Sequence, residues 1–206
     1  MKLGQRPRSI DQYVEIDISF PLYNVFVGKG SQENIKKALK LAAAFGMANG
    51  SMTGLQQFCD QNIGIDCSGF ASNYFGLNAH QACNTGASVM APVDKRIRKL
   101  EQVREGTAIV FKSGLHVALV DKVTQVDRLD DGTIYAATCM VAESTNDEMV
   151  EGSSSGLNDT EYTLLGTNNK YDPYLFKVLR PLKSSSNGIY EVDVHLANWP
   201  QGSLWD

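Results

Sequence analysis

The chain has 206 residues, 43% of them hydrophobic and 20% charged, with a net charge of -4 and a pI near 5.4. That composition predicts one core-forming domain with extensions, and the acidic balance argues against nucleic acid as a partner. No apolar run is long enough for a membrane-spanning helix, and the basic N-terminus lacks the apolar stretch of a cleaved secretory signal.

Along the chain, "YVEIDISF" (13–20) alternates in strand fashion, and "VGKGS" closes the first section. Ser31 predicts a helix N-cap. Ile35, Ala38, Leu39, Ala42 and Phe45 then form one apolar stripe at helical spacing, closed by Gly46, Asn49 and Gly50. Residues 50–65 read as a polar loop. A second helix starts at Asp66 or Cys67 and runs to about Phe75, and a further helix is predicted across 92–103.

The period then turns strand-like. "TAIVF" (107–111), "LHVALVDKV" (115–123), "IYAATCMVA" (134–142) and "YLFKVLRPL" (174–182) read as strands, with residues 144–172 as a long loop between the last two. The organisation expected is an extension over 1–31, a catalytic domain over 32–182 and a tail over 183–206. Helices first and strands later predict an α+β fold, a helix packet against one antiparallel sheet.

Four cysteines stand at 59, 67, 83 and 139, without a CxxC pair, and only three histidines occur. That set argues against a structural zinc site, and the expected chemistry needs no metal or other cofactor. A Cys59–Cys83 disulfide is conceivable from their positions either side of Cys67.

The stretch "GIDCSGFASNYFG" (64–76) carries the chemistry. Asp66 is placed to cap a helix, which puts Cys67 in its first turn. Backbone N–H groups and the helix dipole there favour a thiolate and offer donors to an oxyanion. Gly69 leaves room for a close approach. The competing reading is a small apolar residue packed under a capped turn, and the tetrapeptide alone does not separate the two. Gln61 and Asn62 are upstream candidates for a second oxyanion donor, with Asp66 and Ser68 as supporting residues.

A nucleophilic cysteine needs a base. His80 falls in a loop and His195 in the tail, whereas His116 opens an apolar strand directly after a glycine turn. A hairpin with Asp127 to Gly132 as connection places Val126 opposite Thr133. That register sets His116 opposite Glu143, Val120 opposite Cys139 and Leu119 opposite Met140. Glu143 is then the acid that orients the imidazole. A register error of one residue would flip one strand's faces.

"DCSGF" followed by "GLHVALV" resembles the NlpC-type cell-wall peptidases and the related CHAP amidases. "REGTAIVF" is similar to the strand that precedes the histidine in those families, and "YLFKVLRPL" to their closing strand, which often carries an arginine. The resemblance covers roughly residues 32–182. It implies a papain-like fold, with N-terminal helices on an antiparallel sheet, and a Cys67, His116, Glu143 triad. The glutamate is closer to the CHAP pattern, in which Asn146 would serve a second role. The aromatic-glycine segment that precedes the NlpC nucleophile is replaced by "MANGSMTGLQQFCDQNIGI".

The resemblance implies a cysteine peptidase or amidase that cleaves peptidoglycan stem peptides through a thioester. Small size without wall-binding repeats is similar to the amidase effectors of type VI secretion, which travel with an immunity protein, and to phage lysins. That picture has the protein made in the cytoplasm without a Sec signal and acting in the periplasm or wall of a target cell. Two alternatives stay open: a protease, deamidase or acyltransferase acting on host proteins or lipids, and an inactive binding domain. "GSSSG" (152–156) lies in a Ser/Gly stretch instead of between strand and helix, so it predicts no serine nucleophile. "DRLDDG" lacks the spacing of a calcium loop and predicts a turn.

Overall fold

Residues 108–111 and 117–120 are buried on both faces, which is the pattern of strands sandwiched between two apolar layers. In the computed structural model, which describes residues 20–76, 86–145, 156–181 and 188–200, those two layers are a barrel interior and a helix packed outside it. Six antiparallel strands close the barrel: β1 (Ala108–Phe111), β2 (Val117–Arg128), β3 (Ile134–Thr145), β4 (Gly156–Gly166), β5 (Leu175–Pro181) and β6 (Ile189–Ala197). Each strand pairs with the next, and β6 returns to β1 with Phe111 opposite Val194 and Ala108 opposite Ala197.

This closed barrel overturns the papain-like α+β expectation of helices on an antiparallel sheet. Two strands absent from the sequence reading make the difference. β4 occupies part of the stretch read as a loop, and β6 occupies the stretch read as a tail. Without them the sheet has two free edges; with them it has none.

Alternation sorts the side chains. Ile109, Phe111, Ala118, Val120, Cys139, Val141, Tyr162, Leu164, Phe176, Val178, Val194 and Leu196 fill the interior. One end of the barrel is plugged by Ile97 and Leu100, both 4% exposed. The plug comes from the segment predicted as a helix over 92–103. It is instead two short 3-10 turns (Val93–Lys95 and Leu100–Gln102) around an extended Arg96 that bridges to Ala197. The Ile97 amide donates to the Leu196 carbonyl at 2.9 Å, so sheet pairing took the backbone that a helix would have used.

The described helices are α1 (Phe20–Phe26), α2 (Gln32–Ala44), α3 (Met52–Asn62) and α4 (Cys67–Tyr74). Ser31 caps α2, accepting from the Asn34 amide at 3.2 Å, and Ala38 and Ala42 face inward as the stripe requires. α3 lies where a polar loop was expected. Ser51 caps it, and Phe58 joins Ala42 and Ala48 in a small satellite core. α4 lies on β1 and β2, where Ala71 and Phe75 meet Val110, Val117 and Leu119. Trp199 stacks on Phe75 with centroids 5.4 Å apart and donates its indole N–H to the Met90 carbonyl at 2.8 Å, which anchors the chain after β6. Of "YVEIDISF", residues 13–19 lie outside the described residues, and Phe20 opens α1.

Candidate active site

Asp66 caps α4 as its sequence position demands. Its Oδ1 accepts from the Gly69 amide at 2.5 Å, and its Oδ2 pairs with Lys29 Nζ at 2.8 Å. The carboxylate therefore holds the helix start in place, a contribution of about 1 kcal/mol for a cap of this kind. Ser68 is 3% exposed, and its hydroxyl exchanges hydrogen bonds with Lys29 Nζ (2.5 Å) and Asp66 Oδ1 (3.0 Å). Its side chain braces the turn.

The loop between α1 and α2 clamps this turn from outside. The Gly28 carbonyl accepts from the Asp66 amide at 3.0 Å, and Asn73 Nδ2 donates to the Gly30 carbonyl at 2.9 Å. Gly28 adopts φ +82°, and a Cβ there would lie 2.6 Å from the Asp66 nitrogen. A Cβ on Gly69 would overlap the Gly28 carbonyl oxygen. The close approach that Gly69 permits is thus made by the protein's own backbone.

Cys67 emerges half-buried from this clamped turn. Its Sγ lies 3.9 Å from the Leu115 carbonyl, with the His116 imidazole and the Val117 amide beside it. Imidazole Nε2 of His116 lies 2.6 Å from Glu143 Oε2. With Nε2 committed there, Nδ1 is the nitrogen left for the sulfur. The Phe111 ring packs edge-on against the imidazole at 4.9 Å between centroids. Glu143 is fully buried. Tyr162 Oη lies 2.9 Å from each of its oxygens, and Arg180 Nη2 lies 3.4 Å from Oε2.

The register differs from the expected one. Leu119 pairs with Ala142 and Val120 with Val141, and irregularities interrupt the ladder between Val120 and Lys122, Val123 and Gln125, and Asp127 and Arg128. Carried back, this pairing sets Ala118 opposite Glu143 and His116 one diagonal away. An even shift preserves the face, and a diagonal neighbour is within reach of long side chains. Both residues therefore point into the barrel's open mouth, on the face that carries Val120 and Val141 deeper in.

Burial works against ionising all three groups, and their mutual contacts outweigh it. Cys67 is pushed up by desolvation but pulled below the usual thiol value by the hydrogen bonds from His116 and the Val117 amide and by the imidazole's charge; Asp66 opposes weakly. His116 is pushed down by desolvation but raised overall by its bonds to Cys67 and Glu143. Glu143 is pushed up by desolvation yet held below its usual value by His116, Arg180 and Tyr162. Opposite shifts on a thiol and its base favour a thiolate–imidazolium pair. Cys139, at the apolar interior of β3, is pushed by burial to about 11.

A cavity of about 410 Å³ opens over the sulfur, walled by Ile65, Leu115, Ser144, Thr145, Arg180 and Tyr190 among others. The Ser144 hydroxyl donates to the Ile65 carbonyl, tying the end of β3 to the segment before α4. By helix geometry the Cys67 and Ser68 amides have no intrahelical acceptor. Gln61 is exposed and Asn62 donates to the Phe58 carbonyl; neither lines the cavity.

Asn146, His80 and Cys83 lie outside the described residues, as does the Cys59–Cys83 pairing. His195 sits elsewhere, 2.9 Å from Asp172. Tyr162 and Arg180 are absent from the sequence-derived site. Their mark is a polar side chain at an inward position of a strand whose neighbours, Leu164 and Val178, are apolar. Among the described residues, no group of three or more His, Cys, Asp or Glu is arranged to hold a metal, and no helix is long and apolar enough to cross a membrane.

Scans against protein-family models, curated proteins and solved structures found no match to this chain.

Proposed function

We propose that this protein is a cysteine hydrolase that cleaves an amide bond of bacterial peptidoglycan, acting as an antibacterial effector or lysin. The observation that carries the chemistry is the line Cys67–His116–Glu143, with 2.6 Å between imidazole and carboxylate, opening onto a cavity at a helix N-terminus. The substrate class rests on the likeness of "DCSGF" and "GLHVALV" to cell-wall peptidases, a likeness of two motifs and not of the barrel.

The thiolate of Cys67 attacks the carbonyl carbon, and the oxyanion sits against the first-turn amides of α4. His116, protonated in the resting pair, gives its proton to the leaving nitrogen as the C–N bond breaks. An amine departs and a thioester remains. His116, now neutral, takes a proton from water as the hydroxide adds to the thioester. The C–S bond then breaks, releasing the carboxylic acid and restoring thiolate and imidazolium. Glu143 holds Nε2 throughout, so that Nδ1 stays aimed at the sulfur.

The test is digestion of purified peptidoglycan, read by mass spectrometry. The wild-type chain is expected to release fragments with a new amine and a new carboxyl end, and Cys67→Ala to release none while keeping its melting temperature. The same fragments from Cys67→Ala would sink the mechanism. An intact, thiol-reactive chain that leaves every wall preparation uncut would sink the substrate assignment alone.

A further inference from the structure

Glu143 is enclosed by side chains from two other strands and from the turn that leads into a third. His116 stands just before β2, Tyr162 on β4 and Arg180 on β5, and the glutamate itself on β3. Tyr162 Oη is equidistant from the two carboxylate oxygens, so it resists rotation of the carboxylate about its last bond. Arg180 is 3% exposed. Its guanidinium lies over the Phe111 ring at 5.2 Å and the Tyr162 ring at 5.7 Å, and it lines the cavity that Cys67 opens into.

We propose that Tyr162 and Arg180 are positioning residues for the reaction: Tyr162 fixes the rotation of Glu143, and Arg180 supplies the positive charge that lets the sulfur ionise in a buried site. This inference rests on the nucleophile reading above. The argument is one of charge. Glu143 is negative, and His116 and Arg180 are positive, so loss of the thiol proton takes the cluster from one net positive charge to neutrality. Without Arg180 the same step takes it from neutrality to one net negative charge, in surroundings where such a charge is costly. Among the described residues, the other ionisable groups lining the site are Asp66, whose charge Lys29 offsets, and Tyr190 at the rim from β6.

The tyrosine and arginine separate by readout. Tyr162→Phe keeps the ring and removes only the hydroxyl. It is expected to lower kcat on a wall fragment about tenfold with KM unchanged. Arg180 is tested on the full chain by the rate of iodoacetamide alkylation at Cys67 against pH, with the labelled peptide identified by mass spectrometry. Arg180→Met is expected to move the acid limb of that profile up by about one pH unit, and Arg180→Lys to bring it most of the way back.

A merely structural arginine would change the melting temperature and leave the limb in place, and that result overturns the proposal. If Arg180→Met does not fold, the double variant Glu143→Gln/Arg180→Met is compared with Glu143→Gln. A limb about one unit higher in the double variant supports the proposal, and coincident limbs overturn it. A wild-type Cys67 that titrates as an ordinary thiol overturns the nucleophile reading and this inference together. A low wild-type limb that Arg180→Met fails to move overturns this inference alone.

Discussion

Two histidines among the described residues hold a carboxylate, and only one of them stands beside a sulfur. His116 meets Glu143 at 2.6 Å inside the barrel mouth; His195 meets Asp172 at 2.9 Å on the outer wall. The inner acid is fully buried and braced by Tyr162 and Arg180. The outer one is a quarter exposed, also accepts from the Tyr174 amide, and shares its histidine with Arg96 Nη1 at 3.5 Å. The outer pair staples the β4–β5 connection to β6. A histidine–carboxylate contact is therefore no mark of catalysis by itself. Burial of the acid, a cysteine sulfur beside the imidazole, and an adjoining cavity separate the inner pair from the fastening one.

The sharpest way to break this contrast is to remove each imidazole. His116→Ala is expected to lower hydrolysis at least 10²-fold, and His195→Ala to leave it within about twofold, both read as initial rates on the same wall fragment. Equal losses would erase the distinction.

Next come the acids. Glu143→Gln removes the buried carboxylate that His116 and Arg180 share and is expected to cost about 3 kcal/mol or more of stability, measured by urea unfolding at pH 7. Asp172→Asn should cost under about 1 kcal/mol, as a solvent-reachable pair does. The pH dependence has a defined sign. Glu143 is held below its ordinary value in the fold, so its contribution is present above the unfolded carboxylate range and disappears as pH falls through the folded value. Wild type should thus lose stability on acidification more steeply than Glu143→Gln. His116 is raised in the fold, so its contribution is full below the unfolded imidazole range and fades as pH rises through the folded value.

A smaller effect tests what holds the sulfur in place. Gly69→Ala pushes a methyl group into the Gly28 carbonyl and should cost about 1–3 kcal/mol of stability. It should also slow Cys67 alkylation, because the helix start must shift. Unchanged alkylation would show that the clamp secures the helix but not the thiol. The mildest contrast is between thiols: Cys139, pushed to about 11, should stay unlabelled at pH 7 while Cys67 reacts.

The local chemistry of the site was readable because it is local. Asp66 before Cys67 is a cap followed by a first-turn residue whatever the rest of the chain does, and the two apolar faces of "LHVALV" mark a strand covered on both sides. The pairing of His116 with Glu143 survived a wrong register because the error was even. At the barrel mouth the observed register lies two residues from the expected one, so the faces agree there; further along the β2–β3 ladder the one-residue irregularities make the error odd, as at Lys122 opposite Met140, and exchange the faces.

The barrel was hidden for a different reason. β4 runs as "GLNDTEYTLLG", with Asp159 and Glu161 outward and Thr160, Tyr162 and Leu164 inward, so its average polarity resembles a loop. β6 follows a serine-rich stretch that reads as a linker. The alternation in both was present but weak, and closure is a long-range property that no segment carries alone. α3 was missed because Gly54 and a run of amide side chains mask the spacing of Leu55 and Phe58.

The seam of the barrel joins residues 108–111 to 194–197. A nascent chain has made Cys67, His116 and Glu143 well before it has made β6, the strand that shuts the barrel wall. Contacts of such sequence separation form late and slowly. The enclosure that dries the Glu143 carboxylate is therefore completed only after the residues it surrounds have all been made.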